Sequence, residues 1–83
     1  MNEKILVVDD EENIVKLVSY NLEEEGYEII TANEGKEALA KVEQENPDLM
    51  ILDLMLPKID GFDICRKVRK NDQANNLPII ILS

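Results

Sequence analysis

An α/β fold built around a parallel β-sheet is predicted by three features of this sequence. Apolar residues gather into short unbroken runs: Ile5-Leu6-Val7-Val8, Leu49-Met50-Ile51-Leu52 and Ile79-Ile80-Ile81-Leu82. Unbroken runs, unlike alternating ones, mark strands buried on both faces, as in a parallel sheet covered by its own crossover helices. Between the runs, apolar residues recur at helical spacing. The resulting β-α-β-α-β-α-β order calls for crossover units of right-handed sense within one sheet.

The elements follow in order. Ile5–Val8 is the first strand. Ile14, Leu17, Val18 and Leu22 form the apolar stripe of the first helix, and Gly26 is its natural C-terminal stop. Glu11 and Glu12 suit that helix's N-terminus through its dipole, with Asp10 a candidate cap, and Glu23-Glu24-Glu25 read as a solvated helix end. A weaker strand, Tyr27–Ala32, comes next. Ala38, Leu39 and Val42 mark the second helix, with Asn33 as its expected N-cap and Asn46-Pro47 as its end. Leu49–Leu52 is the third strand. Ile64, Cys65 and Val68 mark the third helix, capped by Asp60 and ended by the polar stretch Asn71–Asn76. Ile79–Leu82 is the fourth strand.

Composition narrows the function. At 83 residues the chain holds one domain, and its 45% hydrophobic content suffices for a core. The 18 acidic and 9 basic residues give a net charge of −9, which disfavours direct contact with nucleic acid or anionic membrane. With no His and a single Cys, a Cys–His catalytic pair, a zinc site and an intrachain disulfide are all excluded. Cys65, on an apolar stripe, reads as a core residue, and a lone thiol fits a reducing cytoplasm. No signal-peptide pattern opens the sequence and no run approaches a membrane span, so a soluble cytoplasmic domain is expected.

The chemistry lies at the strand ends. In a parallel α/β sheet, ligands bind outside the carboxyl ends of the strands. There the first strand ends in Asp9-Asp10, the third in Asp53 and the fourth in Ser83. A lone Asp at a strand end is usually a turn former or a helix cap. Two strands ending in Asp, one with a pair, weaken that reading. Carboxylates gathered so closely repel, raising their proton affinity unless a cation is present. Magnesium suits such a site, being held by one or two carboxylates, waters and phosphate oxygens. A carboxylate beside it can act as a nucleophile and form an acyl phosphate.

Lys4–Glu11, Asp48–Pro57, Asp60-Gly61-Phe62 and Cys65–Arg69, with the spacing from Asp53 to Pro57 and to Gly61, together resemble the response-regulator receiver domain of two-component signalling. Met55-Leu56-Pro57 is most similar to receivers that precede a winged-helix DNA-binding domain. The resemblance implies a flavodoxin-like doubly wound sheet and a phosphoryl group passed from a sensor histidine kinase to Asp53. It implies Mg2+ held by Asp10, Asp53 and the backbone carbonyl of Met55, with Asp9 acting through water. The Ser83 hydroxyl would contact the phosphate, and Pro57 and Gly61 would shape the adjoining loop. Such a domain is a signalling acceptor rather than an enzyme, and it reaches DNA only through a separate output domain.

A complete receiver has five β/α units in strand order 2-1-3-4-5. Residues 1–83 supply four strands and three helices, so a partial receiver with order 2-1-3-4 is expected. It would lack the fourth helix, the fifth strand and its phosphate-pairing Lys, and the fifth helix. Two consequences are expected: weak or absent phosphorylation, and self-association through an exposed Ile79–Leu82 edge. Two other classes compete. A docking module that never takes phosphate would show no saturable magnesium binding dependent on Asp10 and Asp53. An aspartate-nucleophile phosphohydrolase would carry a second Asp two residues after the first, where this chain has Met55.

Overall fold

A computed structural model describes residues 3–53, 61–72 and 74–82. Its elements run β1 (Lys4–Val8), α1 (Glu12–Glu24), β2 (Glu28–Ala32), α2 (Gly35–Glu45), β3 (Leu49–Asp53), α3 (Gly61–Lys70) and β4 (Ile79–Leu82). The four strands pair in parallel in the order β2-β1-β3-β4. Strands, helices and sheet order all follow the sequence expectation. Among the described residues, no helix is long and apolar enough to cross a membrane.

β1 is the central strand and is buried along Ile5–Val8, because both of its neighbours and both of its faces are covered. Its alternation splits the core in two. Leu6 and Val8 join Ala32, Met50 and Leu52 under α2 and α3, which contribute Ala38, Val42, Ile64 and Val68. Ile5 and Val7 face the other side, where α1 packs against β1 and β2. Cys65 is half-buried against the first of these layers, as its stripe position predicts.

Lys4 ties the amino ends of β1, β2 and β3 to the carboxyl end of α2. Its backbone N–H donates to Asp48 Oδ2 at 2.8 Å, and its carbonyl accepts the Asp48 N–H at 2.7 Å. Its ammonium donates to the Glu45 carbonyl at 3.1 Å and lies 3.9 Å from the Glu28 carboxylate. These contacts fix the start of β1 against the start of β3, so that Val8 comes level with Leu52 at the far end.

The helix ends carry both agreements and corrections. Gly26 stops α1 as expected. At φ +95 it donates its N–H to the Glu23 carbonyl, while Tyr27 N–H reaches Leu22, which together make a Schellman motif. Asn46 ends α2 in the left-handed region at φ 48, a conformation Asn tolerates better than most side chains. Asn33 is not the cap of α2. Glu34 holds that position without a side-chain cap, and Asn33 instead donates its own N–H to Glu37 Oε1 at 3.0 Å. Asp10 does not cap α1 either, where Glu11 is the N-cap. Asp60, expected to cap α3, lies outside the described residues.

Burial departs from the sequence reading in α1. No residue of α1 is fully buried, and Leu17 of its expected stripe is 60% exposed. β4, the most apolar run, is an outer strand among the described residues, and its Ile80 and Ile81 stand open, in keeping with the exposed edge expected for Ile79–Leu82. Arg69 anchors the approach to β4. Its Nη1 donates to the Leu77 carbonyl at 2.8 Å and to the Asn75 carbonyl at 3.2 Å. Arg69→Ala is therefore expected to cost about 1–2 kcal/mol in urea denaturation, as befits charge-assisted bonds to carbonyls. Lys70→Ala, which breaks no such clamp, should leave the urea midpoint in place.

Candidate functional site

The sheet order reverses beside β1: the chain passes from β1 to β2 on one side, then crosses to β3 on the other. In an open α/β sheet such a reversal marks the place, outside the carboxyl ends of the strands, where ligands bind. Asp9, Asp10 and Asp53 sit at this point.

Asp9 directly follows the last residue of β1. Its N–H donates to the Ala32 carbonyl at 3.2 Å, which holds it in line with the sheet one residue past the strand. Its Oδ1 accepts the Glu11 N–H at 2.9 Å, and this Asx turn bends the chain into α1. The side chain is thereby folded inward, 5% exposed, and Asp10 is left on the surface. Asp53 is the last residue of β3, in register with Leu82 of β4, and is half-buried. The three carboxylates each offer an oxygen within 4.8 Å of the others.

Such crowding has an electrostatic cost. Burial pushes the Asp9 carboxyl above its ordinary range, and the negative charges of Asp53 and Asp10 and a hydrogen bond shared with Asp53 push the same way. The Glu11 N–H opposes them without prevailing. The folded state thus holds the Asp9 proton more tightly than the unfolded chain does. Metal-free stability must then fall as pH rises from about 3.8 through the raised value, and the full penalty stands at neutral pH. Asp9→Asn removes it. The variant is expected to melt at a higher temperature at pH 7 without metal. That gain should shrink as pH is lowered into the ordinary carboxylate range, which thermal melts across pH will check.

The arrangement brings together all three Asp residues singled out from the sequence. Gly61 opens α3, so the loop it was expected to shape ends at that helix's start. Met55, Pro57 and Ser83 lie outside the described residues. Two contributors were not anticipated from the sequence: the Glu11 N–H and the Ala32 carbonyl, which aim Asp9. Backbone groups carry no residue signature, and only the Asp9-Asp10-Glu11 spacing hints at an Asx turn. Beside Asp9 a crevice opens between α1 and β2, lined by Glu12, Lys16, Ser19, Thr31, Asn33 and Glu37.

The donor set suits a hard divalent cation. Three carboxylate oxygens converge, none of the ligands is nitrogen or sulfur, and burial with the neighbouring negative charges raises the proton affinity of Asp9. Asp9, Asp10 and Asp53 are the residues that could hold it.

Comparison with known proteins gives a consistent picture. Residues 5–83 match the family described as the response regulator receiver domain. The alkaline phosphatase synthesis transcriptional regulatory protein PhoP of Bacillus subtilis is 57% identical over 83 residues, covering 100% of this chain and 34% of that protein. The phosphate regulon transcriptional regulatory protein PhoB of Rhizobium meliloti is 46% identical over 80 residues, covering 96% of this chain and 35% of its own length. Among solved structures, the chemotaxis response regulator CheY4 of Vibrio cholerae superposes with a TM-score of 0.94 at 38% identity, over 98% of this chain and 68% of that one. The complex of histidine kinase ThkA with response regulator protein TrrA matches with a TM-score of 0.88 at 47% identity, again over 98% and 68%. The chain thus spans about a third of the curated relatives and two thirds of the solved ones.

Proposed function

The chain belongs to the response regulator receiver domain family, with relatives of the PhoP and PhoB type, and on that premise we propose that Asp53 accepts a phosphoryl group from a sensor histidine kinase. The observation that carries the reading is the convergence of Asp9, Asp10 and Asp53 within 4.8 Å at the point where the sheet order reverses. An Asp53 oxygen attacks phosphorus, the bond from phosphorus to the kinase histidine breaks, and an acyl phosphate forms. The complex of TrrA with its kinase supports a partner of this kind.

Mg2+ is the cofactor of this proposal. Asp10 and Asp53 would hold it directly, Asp9 would act through water, and the Met55 carbonyl would add a ligand. When bound, the ion supplies positive charge that offsets the carboxylates and the incoming phosphoryl oxygens. The buried, turn-locked Asp9 keeps the acidic cluster in place. The Ser83 hydroxyl would contact the phosphate, and Pro57 and Gly61 would shape the loop after the acceptor. The domain is a signalling element and not a turnover enzyme. It acts in the cytoplasm, where the lone Cys65 stays reduced. Its output is transcriptional and is delivered by a separate DNA-binding domain, since a net charge of −9 repels DNA.

Acetyl phosphate with Mg2+, followed by intact mass, tests the reading on the full reading frame that carries this chain. The expected result is a gain of one phosphoryl group that needs Mg2+ and is removed by hydroxylamine, which cleaves acyl phosphates. No gain, or a hydroxylamine-stable gain of the kind a phosphoserine gives, would sink it.

A further inference from the structure

We draw no further inference here: the strongest candidate, the apolar patch on outer strand β4 where Ile80 and Ile81 are 49% and 40% exposed, carries nothing, because nothing among the described residues shows what covers it.

Discussion

Asp53→Asn is expected to abolish phosphoryl uptake while leaving the fold intact. The carboxamide has the shape of the carboxylate, so Asp53's place opposite Leu82 in the sheet is kept. Its nitrogen lone pair is delocalised into the carbonyl, and the neutral oxygen is a poor nucleophile, so no acyl phosphate forms. The same change removes one of three negative charges that sit within 4.8 Å of one another. Magnesium affinity should therefore fall by roughly tenfold or more, above about 1.4 kcal/mol. Metal-free stability should hold or rise, because repulsion on the buried Asp9 is relieved and its proton affinity drops back toward the ordinary range. Three readouts then move in different directions: mass gain to zero, magnesium titration weaker, urea midpoint unchanged or higher. A general loss of folding would lower all three together. A mass gain that survives the substitution overturns the acceptor assignment.

The sheet was readable from sequence because its central strand obeys the rule that unbroken apolar runs are buried on both faces. Ile5–Val8 does so. Ile79–Leu82 has the same composition and does not, because burial is set by what packs against a strand, and β4 has a neighbour on one edge alone among the described residues. Leu17 shows the same limit in a helix. Its spacing puts it on the stripe with Val18 and Leu22, yet α1 lies over β1 and β2, and its flank is left open. The acidic cluster was readable as a set but not in its parts. Adjacent Asp9 and Asp10 have equal claims on paper. Asp9 Oδ1 accepts the Glu11 N–H, which turns that side chain inward while Asp10 stays exposed, and the sequence gives only the spacing of an Asx turn as a hint of that choice.

The central strand also sets the largest expected loss of stability. Leu6 is fully buried in the middle of β1, which is hydrogen-bonded on both edges and packed under α2 and α3. Leu6→Ala leaves a cavity the surrounding strands cannot close, since they are held in register from Lys4 to Val8. Such a truncation costs about 2–5 kcal/mol. Native domains hold roughly 0.05–0.15 kcal/mol per residue, so a chain of 83 residues has little beyond that to lose. Its margin is thin for a second reason, because α1 covers its side of the sheet without burying any residue fully. Leu6→Ala should thus leave a large unfolded fraction at 37 °C, seen as a collapsed urea midpoint and lost far-UV dichroism. Leu17→Ala, the same chemical change at a 60% exposed site, should shift stability by no more than about 0.5 kcal/mol. Magnesium should partly restore the Leu6 variant, because a ligand that binds only the folded site pulls the equilibrium toward it. Equal losses at the two leucines would mean that the chain is not organised around β1.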